Sequence, residues 1–195
     1  MLILIIDYGE TSISVISEIL ADLNVDSIIQ PPQEDYPSHL KISGVILSGG
    51  PDHVYQPGSR KLPSWIFNVN IPILGICYGM QLLVKSFGGK ISKMTSLEKG
   101  FRLIKIVRLD PLFRNLRSDL VWMNHLDTIS KMPIGFKCNA LTSSGIIAGI
   151  TNNDKIWGIQ FHPENKTEVL DGYYYFENFI EICTSFPRYQ SRIVE

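Results

Sequence analysis

Residues 73–81, ILGICYGMQ, place a cysteine between two glycines directly after a short apolar run. The run, Ile73 to Ile76, is typical of a parallel strand covered on both faces, and a helical pattern follows from about Gly79 to Phe87. The pentapeptide fits the nucleophile-elbow pattern G-x-S-x-G, with cysteine in place of serine. The stretch therefore predicts a strand–turn–helix unit of an α/β fold with Cys77 as an exposed nucleophile at a helix N-terminus. A buried structural cysteine is the alternative.

Apolar runs of the same kind recur through the first half of the chain. They predict strands over Leu2–Asp7, Val25–Ile29 and Gly44–Leu47. Helical spacing of apolar residues predicts helices over Ser12–Leu23 and Gly172–Ser185. The second half of the chain differs, because it consists of segments with an alternating pattern joined by short polar turns. This pattern predicts mostly antiparallel or mixed strands, around Phe101–Leu109, Leu120–Met123, Phe136–Leu141, Ile146–Ile150 and Lys155–Phe161. We expect one α/β domain over residues 1–195, with a mostly parallel mixed sheet flanked by helices.

Composition excludes several function classes. The 18 Lys and Arg residues nearly balance 19 Asp and Glu residues, without a basic run, so nucleic acid is not expected as a partner. The apolar N-terminus is short and lacks the features of a signal peptide, and no membrane span is predicted. Cys77, Cys138 and Cys183 are few and lack metal-ligand spacing, which favours a reducing cytoplasm and no metal site. We interpret Cys138 and Cys183 as buried small hydrophobic residues.

A second motif supplies the groups that a cysteine nucleophile requires. Residues 159–164, IQFHPE, place His162 at a strand end and a carboxylate, Glu164, two residues later. The imidazole can take the thiol proton and later protonate a leaving amine, while Glu164 fixes the imidazole tautomer. A lone histidine is usually a hydrogen-bonded structural residue, but its combination with the elbow makes that interpretation improbable.

The turn Ser48-Gly49-Gly50-Pro51 follows another predicted core strand. Because parallel strands expose their carboxyl ends at one edge of a sheet, we expect this turn beside Cys77. Its backbone N–H groups could face an oxyanion, although glycine and proline also favour a simple tight turn. The residues alone leave both roles open.

These three segments resemble the signature blocks of class I glutamine amidotransferases, in the same order and with similar spacing. The resemblance covers nearly the whole chain and implies a flavodoxin-like α/β fold that takes ammonia from glutamine. It implies a Cys77, His162 and Glu164 triad. The implied oxyanion-hole residues are Gly50 and Tyr78, through their N–H groups, and Gln81 is implied to help hold glutamine.

Within this family, segments 48–55, 77–90 and 121–127 are most similar to the glutaminase subunit or domain of GMP synthases. That similarity implies a synthetase partner, an ATP pyrophosphatase subunit or domain that uses ATP and magnesium to convert XMP into GMP. It implies no cofactor on this chain. Asn124 and His125 become candidates for substrate contacts and Asp127 for the partner interface; a surface loop after a strand is the alternative for all three.

The chain departs from the family pattern at several positions near the expected pocket. Segment Asp7–Thr11 lacks a glutamine, Lys99 stands where an aromatic residue is usual, and Leu126 replaces a glycine. The segment Asn165–Glu168 lacks the usual His-Thr pair. Three alternatives therefore stay open: a paralogue serving another synthetase, a γ-glutamyl hydrolase, and a non-catalytic regulatory module of the same fold.

Overall fold

The computed structural model describes residues 1–165 and 172–186. Within these residues it forms one sheet of nine strands with three α-helices. The strands are β1 (Leu2–Ile6), β2 (Asp26–Gln30), β3 (Gly44–Leu47), β4 (Ile73–Ile76), β5 (Lys90–Ile106), β6 (Leu120–Lys131), β7 (Lys137–Thr142), β8 (Ile147–Thr151) and β9 (Ile156–Ile159). The helices are α1 (Ile13–Asp22), α2 (Tyr78–Ser86) and α3 (Gly172–Ser185).

The sheet has a parallel and an antiparallel half, in the order β2-β1-β3-β4-β9-β8-β7-β5-β6. Strands β2, β1, β3, β4 and β9 are parallel to one another, and every pairing beyond β9 is antiparallel. The predicted mixed sheet flanked by helices is therefore confirmed. The domain span of residues 1–195 stays a prediction, because residues 166–171 and 187–195 lie outside the described part.

Both faces of the parallel half are covered, which explains its continuous apolar runs. Strands β3, β4 and β9 are buried along their whole length. On one face the core joins sheet residues to α1 and α3, and on the other to α2 and the segment around Trp65. None of the helices in the described residues is long and apolar enough to cross a membrane.

The two glycines of residues 75–79 are required by close packing around the elbow. A Cβ atom at Gly79 would lie 2.4 Å from the carbonyl oxygen of Leu47, at the end of β3. At Gly75 it would lie 2.7 Å from the backbone nitrogen of Met80, in α2. Neither atom can withdraw without moving a strand or helix, so these positions let β3, β4 and α2 meet.

The prediction for the antiparallel half was wrong in one respect. β5 begins at Lys90 rather than near Phe101, and β6 continues to Lys131 rather than ending near Met123. The added residues form a long two-stranded ladder with a register shift between Lys93 and Glu98. Its stabilising hydrogen bonds join segments distant in sequence, and many of its side chains are polar and exposed, so apolar periodicity gives little sign of it.

Candidate active site

Cys77 occupies the elbow between β4 and α2. Its backbone has φ 48° and ψ −104°, a left-handed conformation that is strained for any residue with a Cβ atom. It is the N-cap of α2, so its sulfur lies at the positive end of the helix dipole. The surrounding strands impose this geometry, since the Cys77 N–H donates to the Ile159 carbonyl at 2.7 Å.

The thiol is less exposed than the sequence predicted. Only 5% of the Cys77 surface is accessible, because neighbouring side chains cover it. The Gln160 amide Nε2 donates to the Cys77 sulfur at 3.4 Å, and the Gln160 Oε1 accepts from Gln81 Nε2 at 3.2 Å. Cys138, expected to be buried, is half-buried, whereas Cys183 is buried as predicted.

The predicted histidine and glutamate lie together at the end of β9. His162 donates from Nδ1 to Oε1 of Glu164 at 2.7 Å, and the Glu164 side chain is fully buried. This bond leaves the other ring nitrogen, Nε2, for proton exchange with the thiol. β9 is the parallel neighbour of β4, which puts His162 and Cys77 at the same edge of the sheet.

Electrostatics favour a charged imidazole. Burial lowers the pKa of His162, but its interactions with Cys77 and Glu164 outweigh burial and raise the pKa well above its ordinary value. A protonated histidine beside the cysteine is the arrangement that stabilises a thiolate. The site therefore favours an imidazolium at His162, next to the candidate nucleophile.

The predicted oxyanion donors lie in two turns that contact each other. The Gly79 N–H donates to the Ser48 carbonyl at 3.1 Å, so the elbow and the turn after β3 are directly bonded. Among the described residues, neither the Gly50 nor the Tyr78 N–H donates to a backbone carbonyl. Both amides are thus available for an external acceptor. A Cβ atom at Gly50 would lie 2.4 Å from the Tyr8 carbonyl oxygen, so only glycine fits there.

The candidate substrate residues differ in how they are placed. Asn124 is exposed and lines a cavity of about 340 Å³ beside His162. His125 is buried, with Nδ1 2.8 Å from the Asp127 carbonyl oxygen and Nε2 2.9 Å from Glu98 Oε2, so both ring nitrogens are occupied. Gln81 is also buried and reaches the site through Gln160.

Asp127 is buried in the protein rather than exposed at its surface. Its carboxylate accepts from Tyr55 at 2.9 Å and lies 2.6 Å from His53 Nδ1. Tyr55 is exposed and His53 is half-buried, and these two side chains cover the Asp127 carboxylate. Residues 124–127 belong to β6, so the alternative of a surface loop after a strand is wrong. Residues 166–168, expected near the pocket, lie outside the described residues.

Two residues of the site were not among the predicted ones. Gln160 covers the Cys77 sulfur, and its position directly after β9, two residues before His162, was the available signal. Glu10 places Oε2 3.7 Å from His162 Nδ1. Its position just after β1, at the same carboxyl edge, was the available signal.

Glu10, His162 and Glu164 also form a group whose polar atoms lie within 4.8 Å of one another, close enough to hold a metal ion. One histidine and two carboxylates suit several divalent metals. However, a metal at His162 Nδ1 would displace the proton that Glu164 accepts. The absence of a metal from the functional site stays a prediction.

A glutamine-mimicking electrophile, such as a diazo-ketone analogue, should alkylate Cys77 and leave the other two cysteines unmodified. Burial raises the pKa of Cys183 to about 12 and also raises the pKa of Cys138, so both stay as thiols near neutral pH. Peptide mapping by mass spectrometry would identify the modified residue, and excess glutamine should protect it. Label found chiefly on Cys138 or Cys183 would contradict the assignment of the nucleophile.

Comparison with known proteins agrees with this geometry. Residues 4–182 match the family model of class I glutamine amidotransferases. The chain is 43% identical over 166 residues to a glutamine-hydrolysing GMP synthase of Treponema denticola, covering 83% of this chain and 32% of that protein. It is 42% identical over 185 residues to the glutamine-hydrolysing GMP synthase of Petrotoga mobilis, covering 93% of this chain and 36% of that protein. The chain thus spans about a third of the length of these curated relatives.

Solved structures give the same result. A Thermoplasma acidophilum protein assigned as one subunit of GMP synthase superposes with a TM-score of 0.81 at 31% identity, over 95% of both chains. A glutamine amidotransferase of Thermotoga maritima has a TM-score of 0.70 at 22% identity, over 93% of this chain and 81% of that chain, and supports the fold alone. With a matching family model over most of its length and the expected residues at one sheet edge, the chain belongs to the class I glutamine amidotransferase family.

Proposed function

We propose that this chain hydrolyses glutamine to glutamate and ammonia through a γ-glutamyl thioester on Cys77, and delivers the ammonia to a synthetase partner. One observation supports this reaction most directly. A cysteine in a strained elbow, at a helix N-terminus, faces a histidine that donates to a buried glutamate. The intact triad also disfavours a non-catalytic regulatory module.

In the first half-reaction the Cys77 thiolate attacks the carboxamide carbon and a C–S bond forms. The oxygen becomes an oxyanion, which the Gly50 and Tyr78 N–H groups are free to bind. The His162 imidazolium then gives its Nε2 proton to the amide nitrogen. The C–N bond breaks and ammonia leaves, with the γ-glutamyl group held as a thioester.

In the second half-reaction His162, now neutral, takes a proton from water as the water oxygen adds to the thioester carbon. The same oxyanion donors stabilise the second tetrahedral intermediate. The C–S bond breaks, glutamate leaves, and the thiolate–imidazolium pair is restored. Glu164 keeps the Nδ1 proton in place in both halves, so Nε2 alone exchanges protons.

The partner proposed is the ATP pyrophosphatase part of GMP synthase, acting with ATP and magnesium to convert XMP into GMP. The support is that relatives at 43% and 42% identity are glutamine-hydrolysing GMP synthases, of whose length the chain covers 32% and 36%. A synthetase of another pathway is the alternative acceptor. A cytoplasmic location stays a prediction from the number and spacing of the cysteines.

The purified chain alone should release glutamate slowly, and the rate should rise several-fold or more on addition of the ATP pyrophosphatase subunit of GMP synthase, ATP and XMP. A partner that favours a competent arrangement of the oxyanion turns raises the rate by shifting that population. The measurement is glutamate and GMP formation, with an ATP pyrophosphatase inactivated at its nucleotide site as a control.

The outcomes separate the alternatives. Glutamate and GMP rising in step support both the activity and the acceptor. Ammonia without GMP points to another synthetase, and glutamate released only from γ-glutamyl conjugates points to a γ-glutamyl hydrolase. High activity of the chain alone, unchanged by the partner, contradicts the coupling.

A further inference from the structure

A second carboxylate lies beside the catalytic histidine. Glu10, in the loop between β1 and α1, has Oε2 3.7 Å from His162 Nδ1, the nitrogen that also donates to Glu164. The Glu10 side chain is 15% exposed, so the interaction is largely shielded from solvent. Neither of the two proposed half-reactions uses Glu10.

The local structure holds the Glu10 carboxylate in place. Its Oε1 accepts from the Ser12 N–H at 3.4 Å and is within hydrogen-bonding distance of the Ser12 and Thr11 hydroxyls. Its Oε2 lies against the turn after β3. A Cβ atom at Gly49 would be 2.3 Å from Glu10 Oε2 and 2.9 Å from His162 Cε1. Gly49 therefore leaves room for both the carboxylate and the imidazole.

Two carboxylates and one imidazole share this site. The polar atoms of Glu10, His162 and Glu164 lie within 4.8 Å of one another, and two ionised carboxylates at that distance repel. The Ser12 hydroxyl reaches Oε1 of both, at 3.2 and 3.4 Å, but has one proton and can satisfy only one of them at a time. No lysine or arginine among the described residues pairs with either carboxylate. Protonated His162 supplies the compensating charge.

We propose that Glu10 is a positioning residue that acts with Glu164 to hold His162 as an imidazolium facing the Cys77 thiolate. The group then consists of Cys77, His162, Glu164 and Glu10, with the carboxylates of both glutamates near Nδ1 of His162. The proposal rests on the cysteine mechanism proposed above. The other charged or titratable groups facing His162 are Cys77 from the elbow and His125 from β6, the latter paired with Glu98 of β5.

The first test is the pH dependence of kcat/KM for glutamate release. Glu10→Gln keeps the size and an acceptor oxygen for Ser12 but removes the charge that favours the imidazolium. The high-pH limb, which reports loss of the imidazolium proton, should move to lower pH by about one unit. Glu10→Asp retains the charge at a greater distance and should give a smaller shift. Asp22→Asn, an exposed charge removal at the far end of α1, should leave the profile unchanged.

The second test does not need turnover. The His162 imidazole is titrated by NMR in the full chain, its signals assigned by their loss in His162→Ala. In Glu10→Gln the His162 pKa should fall by about one unit relative to wild type. An unchanged His162 pKa in Glu10→Gln overturns the proposal, whatever the activity of the variant. A lower melting temperature of Glu10→Gln with an unchanged pH profile also overturns it, because Glu10 would then only stabilise the loop. If wild type releases no glutamate, the proposed function fails while this titration still decides the role of Glu10.

A double-mutant cycle tests whether the two carboxylates share one role. Because each can support His162 when the other is gone, Glu10→Gln with Glu164→Gln should lower kcat/KM by more than the product of the two single losses. A combined loss equal to that product would mean that Glu10 and Glu164 act independently. That result would overturn their proposed common role in supporting His162.

Discussion

Cys77→Ala is expected to reduce glutamate release by about 10⁴-fold or more, because removing a covalent nucleophile leaves only binding and the oxyanion donors. That loss corresponds to about 5.5 kcal/mol of transition-state stabilisation. The thiol is the only group at the elbow that can form the thioester. The measurement is single-turnover glutamate release at saturating glutamine, together with a search for the acyl-enzyme by mass spectrometry.

Cys138→Ala provides the matched control, since Cys138 is half-buried in β7 and its thiol donates to the carbonyl oxygen of Ala140. Its activity should match wild type. Thermal unfolding of both variants would show whether Cys77→Ala still folds. A folded Cys77→Ala variant with near wild-type turnover would remove cysteine catalysis from consideration.

His162→Ala is expected to be nearly as damaging, with a loss of about 10³-fold or more, because both proton transfers pass through its Nε2 atom. Glu164→Gln should cost less, about 10²-fold, since the amide loses charge but the proton-transferring residue stays. Glu10 beside the same nitrogen gives a further reason for residual activity. Initial rates at several pH values would measure both losses.

The exposed residue His39 supplies the control: His39→Ala should leave the rate unchanged. The double variant Cys77→Ala with His162→Ala should lose little more than Cys77→Ala alone, because the two residues act as a unit. Small effects of both His162→Ala and Glu164→Gln would exclude the triad.

The position of the candidate active site could be predicted from sequence because a simple physical rule governs it. Strands β3, β4 and β9 are buried on both faces and appear as short apolar runs. Parallel strands end at the same edge of a sheet, so Gly50, Cys77 and His162 had to meet once these runs were identified. The spacing of two residues between His162 and Glu164 then allowed the bond that the structure shows.

The surroundings of that centre could not be read from sequence in the same way. The ladder between β5 and β6 depends on backbone pairing between distant segments, with little apolar pattern to mark it. Burial of Asp127 depends on His53 and Tyr55, which reach it from more than 70 positions away. Exposure of the thiol was overestimated because Gln160 covers it.

The parallel half of the sheet, the elbow and the three residues proposed as the triad could all be predicted from sequence. Strands buried on both faces appear as continuous apolar runs, and close approach between elements requires glycine at fixed positions. Packing between segments distant in sequence sets which polar side chains surround these three residues. Glu10 illustrates the difference: its residue type shows only that a carboxylate follows β1, whereas its 3.7 Å approach to His162 depends on the space left by Gly49. Such an approach is set by packing between separate segments, and no periodicity within either segment encodes it.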